Sequence, residues 1–223
     1  MTILDDERHE SFIRAQTVRA HPPLVPEVSL YLASDPIELW GETEALGGSA
    51  SQPPPYWAFA WPGGQALARY ILDHPHEVAG KTVLDFGSGS GLVAIAAAKA
   101  GAYCVSATEI DPLALSALEL NACANGVFIE PLANDLIGTG PRWHTVLAGD
   151  MWYERALAER LTEWLKALSK AGVRVLLGDP NRTYFPAGGP DFGLMRLARY
   201  NVPTSLDVED REIRETSVYT LLR

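Results

Sequence analysis

The sequence predicts an α/β fold built on an open, doubly wound and mostly parallel sheet, and three observations carry that prediction. Thr82 to Lys99 reads as an apolar strand, a glycine loop and then an alanine-rich helix, TVLDFGSGSGLVAIAAAK. The alternation returns with a second strand, Cys104-Val-Ser-Ala-Thr-Glu109, and a helix from Leu113 to Ala124. Further apolar runs end in polar residues at Asn134-Asp135, Asp150 and Asp179. Strand–helix alternation is the pattern of a parallel sheet, and such sheets bind ligands outside the carboxyl ends of their strands.

At 223 residues the chain is long enough for one well-buried domain with an extension and short for two. An N-terminal arm or lid over 1–55 and a main domain over 56–223 are expected. Eighteen Lys and Arg against 28 Asp and Glu give a net charge of −10, which repels a phosphate backbone and favours a basic protein partner or a lysine on one. Cys104 and Cys123 read as small core residues, and a reducing, cytoplasmic compartment fits them. The acid-rich start Met1–Glu10 argues against a secretory or mitochondrial leader. No apolar run approaches the roughly 18 residues of a membrane span.

From about Asp5 to Ala20 a polar helix is expected, with a thin stripe of Phe12, Ile13 and Val18, ended by Pro22-Pro23. Pro26–Leu32 and Ile37–Trp40 are short apolar elements, and Gly47–Pro55 is a loop by composition. Tyr56-Trp-Ala-Phe-Ala-Trp-Pro-Gly-Gly64 gathers large aromatic residues before a helix from about Gln65 to Leu72. That segment can staple the arm to the sheet or wall a ligand with Trp57 or Trp61, and both readings can hold at once. His74-Pro-His76 reads as a surface turn, and no metal site is expected.

Asp85 stands at the end of the first strand, and Gly87, Gly89 and Gly91, with Ser88 after the first of them, let the backbone turn sharply beneath a ligand. The spacing is Gly-x-Gly-x-Gly, whereas the dinucleotide fingerprint is Gly-x-Gly-x-x-Gly. An acidic strand end faces a positively charged ligand better than a pyrophosphate. Glu109 ends the second strand where a ribose-binding carboxylate is expected, Ile110 follows it, and Asp111-Pro112 starts the next helix with Asp111 as N-cap. Together these residues resemble the cofactor half of class I S-adenosylmethionine-dependent methyltransferases.

The third strand, Phe128 to Asp135, ends in Asn134 and Asp135, which either reach an adenine or form a turn. The fourth, Thr145–Asp150, leads into Met151-Trp-Tyr153, where Asp150 and Tyr153 can clamp an amine acceptor; Asp150 could equally cap a helix from Arg155 to Leu168. The fifth, Val173–Asp179, leads into Pro180-Asn-Arg182. A helix over 191–200 and an antiparallel pair, Pro203–Glu209 and Thr216–Leu222, complete a seven-stranded count.

The aromatic segment and the two later corners together are similar to the seven-stranded protein-lysine methyltransferases with an Asp-x-x-Tyr signature, and among them to the branch acting on the electron transfer flavoprotein β-subunit. The resemblance runs over about Pro53 to Arg182, and Asn181 departs from it where Asp-Pro-Gly-Arg is expected. It implies a Rossmann-like sheet, S-adenosyl-L-methionine as cofactor with S-adenosyl-L-homocysteine as product, and that flavoprotein subunit as partner; the acidic balance and the lack of a long apolar run lead us to expect neither nucleic acid nor membrane. Asp150 and Tyr153 then take the acceptor role, with Trp152, Asp179 and Arg182 as substrate contacts. Asp85, Gly87, Glu109 and Asn134 take cofactor roles, joined by Trp57, Trp61, Ser88, Gly89, Gly91, Ile110, Asp135 and Asp150. A methyltransferase of another protein, such as a ribosomal protein, one of a small-molecule amine, and a non-catalytic scaffold remain open. Methyl transfer needs an oriented, neutral acceptor. A sulfonium about 4 Å from an ammonium costs roughly 4 kcal/mol at an effective dielectric of about 20, equal to about three pKa units on a lysine. Asp150 would stabilise the ammonium, so its expected role is docking and orientation.

Overall fold

The computed structural model describes residues 3–47, 54–186, 193–206 and 209–222. The arm holds α1 (Ile3–Gln16), β1 (Val18–Ala20), β2 (Leu30–Leu32) and α2 (Pro36–Gly47). After it come α3 (Pro62–Asp73), β3 (Thr82–Phe86), α4 (Leu92–Lys99), β4 (Cys104–Thr108), α5 (Pro112–Ala124) and β5 (Glu130–Leu132). The chain ends with β6 (Thr145–Gly149), α6 (Arg155–Lys170), β7 (Arg174–Asp179), β8 (Leu194–Pro203) and β9 (Ile213–Leu221). The main sheet has seven strands in the order β5-β4-β3-β6-β7-β9-β8. β5 to β7 pair in parallel, and β9 runs antiparallel to β7 and β8.

Neighbouring residues on each central strand point to opposite faces, so a continuous apolar run fills two layers. Val83, Leu147 and Leu176 join Leu67 of α3 and Ile95 of α4 on one face, while Leu84, Val146 and Leu177 join Leu161 and Leu165 of α6 on the other. α4 is buried from Leu92 to Ala97, and its alanines let it lie close to the sheet. α6 is amphipathic and buries Ala158, Leu161, Trp164, Leu165 and Leu168. A third cluster brings Ile13 and Leu39 of the arm against Trp57 and, on α5, Leu113 and Ala117.

Several expectations are corrected. Residues 194–203 form β8 rather than a helix, because register with β9 along its length outweighs the helix propensity of Leu194-Met-Arg-Leu-Ala198; residues 191–192 lie outside the described residues. Strand pairing stops at Pro203, so of the expected strand Pro203–Glu209 residues 204–206 and Glu209 are not strand, and residues 207–208 lie outside the described residues. α1 ends at Gln16 because Val18–Ala20 pairs with β2. Ile37–Trp40 lies within α2, and of the expected loop Gly47–Pro55, residues 48–53 lie outside the described residues. The third strand contracts to Glu130–Leu132. Cys104 and Cys123 are exposed and do not belong to the core, since Cys104 opens β4 at its outer end.

Candidate functional site

β3 and β4 deliver the first corner of the site. Gly87 has φ +65 and Gly91 φ +80, and a Cβ would strike Met151 Sδ at the first and Leu118 Cδ1 at the second. An L side chain is strained there, so the loop keeps its course only with glycine. The Gly87 and Ser88 amides donate to Thr108 O at 3.1 and 3.2 Å, tying the loop to β4. Glu109 accepts from Gly89 N at 2.8 Å and from Ile110 N at 3.0 Å, and burial raises its carboxyl. Ile110 is 78 % exposed at the mouth.

Asp85 is 1 % exposed and accepts from Ala94 N at 2.9 Å. α4 begins after Gly91, which has no capping side chain, and Asp85 supplies the missing acceptor from β3. Burial pushes its carboxyl up to about 7. Through its Oδ2 Asp85 braces the loop from below. The Asp135 carboxylate accepts from Ile137 N at 2.9 Å and pairs with Arg160 at 2.6 Å, as in the turn-forming alternative. Asn134 is exposed beside it, and its carbonyl accepts from Thr108 Oγ1 at 2.5 Å. Trp57 is buried in the arm cluster, so of the two expected aromatic roles it fills the staple. Trp57 Nε1 and Ser88 Oγ are buried with no hydrogen-bond partner among the described residues.

β6 and β7 deliver the second corner. Asp150 follows β6 with φ 58 and is 8 % exposed. Its Oδ1 accepts from Arg182 Nε at 3.1 Å and Nη2 at 2.8 Å, and its Oδ2 from Gly64 N at 2.9 Å. Asp150 therefore caps α3, whose own N-cap Trp61 offers no side-chain bond, and not α6. Gly63 has no room for a Cβ, which would meet Gly178 O and Asp150 Oδ2. Desolvation raises the Asp150 carboxyl and the Arg182 charge opposes it. Among the described residues, two lone pairs of Oδ1 and one of Oδ2 are taken, which leaves one for an incoming donor.

Arg182 also binds Glu209, through Nη2 at 2.5 Å and Nη1 at 3.3 Å, and its guanidinium lies 5.5 Å from the centre of the Trp61 ring. Asp179 accepts from Arg182 N at 2.7 Å and is fully buried, with its Oδ2 unpartnered among the described residues; burial and the nearby Asp150 push it up to about 8. Asn181 has φ 64, the left-handed turn that glycine adopts freely and asparagine tolerates, so the departure from Asp-Pro-Gly-Arg keeps the turn. Tyr153 is 47 % exposed, with its ring 5.4 Å from that of Tyr56. Tyr56 in turn packs edge-on against Trp61 at 6.0 Å.

The structure thus gathers Trp61, Asp150, Tyr153, Asp179 and Arg182 at one corner. Trp152 lies apart from them. Its indole donates to Thr162 Oγ1 at 3.1 Å, packs edge-on to Phe185 and is buried in the layer under α6. Glu209 escaped sequence reasoning, and Tyr56 and the Gly64 amide, although within the segment Tyr56–Gly64 singled out there, join the corner through contacts that no local spacing announces.

Residues 66–139 match the family of Ribosomal protein L11 methyltransferase (PrmA). Over most of its length the chain is similar to electron transfer flavoprotein beta subunit lysine methyltransferases. It is 41 % identical to the protein from Danio rerio, covering 88 % of this chain and 76 % of that protein. Identity to the one from Homo sapiens is 37 %, over 96 % of this chain and 82 % of that protein. Among solved structures, magnesium protoporphyrin IX methyltransferase from Synechocystis PCC 6803 with bound SAH shares the fold at TM-score 0.52 and 16 % identity, covering 72 % of this chain and 81 % of that one.

Proposed function

The chain belongs to the electron transfer flavoprotein beta subunit lysine methyltransferase family, and on that premise we propose that it transfers methyl groups from S-adenosylmethionine to lysines of that flavoprotein subunit. The observation that carries this reading is Asp150, a nearly buried carboxylate with one lone pair to spare, set beside the half-exposed Tyr153 at the sheet edge that also bears the glycine loop.

The first corner fits the cofactor. The loop from Gly87 to Gly89 has no Cβ at either end, Glu109 suits a ribose, Ile110 offers an apolar face, and the unpartnered Ser88 hydroxyl could bond a ligand. When bound, the cofactor supplies an electrophilic methyl carbon on a sulfonium. Asp150 receives one N–H of the lysine amine and orients its lone pair, while Tyr153 and Tyr56 pack beside the alkyl stem. Asp150 is given docking and orientation and not the part of general base: its remaining lone pair receives the amine N–H, and the proton of the lysine leaves to water.

We read residues 1–55 as an arm that walls the cofactor end and 56–223 as the methyltransferase domain, a division supported by the packing of Ile13 and Leu39 on Trp57. The net charge of −10 speaks against a nucleic-acid acceptor. We place the protein in the cytoplasm: the exposed, unpaired Cys104 and Cys123 suit a reducing compartment, and among the described residues no helix is long and apolar enough to cross a membrane. The test is intact mass spectrometry of purified flavoprotein β-subunit after incubation with this protein and S-adenosylmethionine. The expected result is a mass ladder of added methyl groups; an unchanged mass alongside methylation of another component of a cell lysate would overturn the acceptor.

A further inference from the structure

We propose that Glu209 is a positioning residue for methyl transfer, holding Arg182 between two carboxylates so that Asp150 is only partly neutralised and keeps its last lone pair for the lysine amine. The inference rests on the acceptor role given to Asp150 above. Glu209 lies in the turn between β8 and β9, far along the chain from every other member of the corner, yet it is only 6 % exposed. It accepts from both terminal nitrogens of Arg182 and from Arg214 Nε at 3.0 Å. Arg214 is itself anchored by Asp210 at 3.2 Å.

The guanidinium offers two edges. Arg182 spends the Nε–Nη2 edge on a single oxygen of Asp150 and the Nη1–Nη2 edge on Glu209. Without an anion on the second edge, the fork would be free to turn fully onto Asp150 and engage both its oxygens, the preferred arrangement of an arginine–carboxylate pair. That would occupy the remaining lone pair of Oδ2 and neutralise the carboxylate, leaving little to attract an amine. With Glu209 in place one positive charge is shared between two negative ones. Trp61, under the guanidinium, limits its movement out of that plane. The C-terminal hairpin thereby belongs to the acceptor site although none of its side chains need touch the lysine.

Glu209→Gln keeps the shape and removes the charge. In this variant kcat for methylation of the flavoprotein β-subunit should fall at least tenfold, with affinity for S-adenosylhomocysteine changed less than twofold. In an Arg182→Met background the same change should cost less than twofold, because the group through which it acts is gone. Multiplying losses, or full activity in the single variant, would overturn the inference. A second readout needs no turnover: carbon-13 NMR titration of the Asp150 carboxyl, which faces Arg182, Asp179 and Glu209. Its midpoint should fall in Glu209→Gln as the like charge leaves and Arg182 turns toward it, and an unchanged midpoint would refute the proposal. If the wild-type protein does not methylate the β-subunit, the function reading fails and this titration alone decides the role of Glu209. Should Glu209→Gln not fold, Glu209→Asp, shorter by one methylene but still charged, carries the kinetic test. A severalfold loss of kcat is then expected, and none would contradict it.

Discussion

At the ends of β3 and β4, Asp85 and Glu109 are held by backbone N–H groups no more than 20 residues away, those of Ala94, Gly89 and Ile110. At the ends of β6 and β7, Asp150 is held by the Gly64 amide 86 residues away and by the Arg182 side chain 32 residues away, and Arg182 in turn by Glu209, 27 residues further on. The first corner is thus a main-chain frame whose carboxylates lock a loop. The second is a chain of side-chain ion pairs assembled from α3, β6, β7 and the β8–β9 turn. Damage to the first should act through steric exclusion of the loop's conformation, and damage to the second through charge and through packing beneath it.

Trp152 gives the largest expected effect, because it supports the second corner from below. Trp152→Ala should cost about 4 kcal/mol of stability in urea unfolding, as for a large aromatic lost from a well-packed core, with affinity for S-adenosylhomocysteine unchanged in the protein that remains folded. A raised KM for the acceptor at unaltered stability would return Trp152 to the substrate surface. In the first corner, Gly87→Ala forces a strained φ and a clash with Met151. Calorimetric affinity for S-adenosylhomocysteine should drop about a hundredfold, or about 2.7 kcal/mol; unaltered affinity would show that the loop does not need its present course. The smallest effect is electrostatic. The folded pKa of Asp179, about 8, lies above the ordinary carboxyl value, so the native state holds a proton that the unfolded chain gives up, and the stability Asp179 contributes declines as pH rises from about 4 to 8. Asp179→Asn removes that dependence. Its stability should lie within about 1 kcal/mol of wild type near pH 5 and gain on wild type up to pH 8, so a pH-independent difference between the two proteins would refute the assignment.

The same contrast explains what was legible in the sequence. The glycine loop, Glu109 and the Asp111 cap, which accepts from Leu113 N at 2.9 Å, are encoded by spacing within one βαβ unit and can be read without knowing the fold. The parallel strands follow from apolar runs and their polar ends. The second corner showed only fragments, Asp150, Tyr153 and Arg182, because its joints are set by strand order and not by distance along the chain. Glu209 sits in an acidic stretch, Glu209-Asp-Arg-Glu212, that reads as a solvated turn, and only its burial against Arg182 and Arg214 distinguishes it. Asp85 is legible only in part for a related reason. Its place at a strand end is compatible with facing either the ligand or the helix that follows, and only the structure shows its Oδ2 taken by the Ala94 amide of α4. β8 was illegible since its Leu, Met, Arg and Ala residues favour a helix until β9 offers an edge to pair with.

Asp150→Ala tests the separation of the two corners most directly, with methyl transfer to the purified flavoprotein β-subunit and calorimetric binding of S-adenosylhomocysteine measured on one preparation. Transfer should fall by about a thousandfold as the amine loses its docking carboxylate, while cofactor affinity changes less than twofold. Substantial transfer by the variant, or a loss of cofactor affinity that matches the loss of transfer, would contradict the division of labour between them.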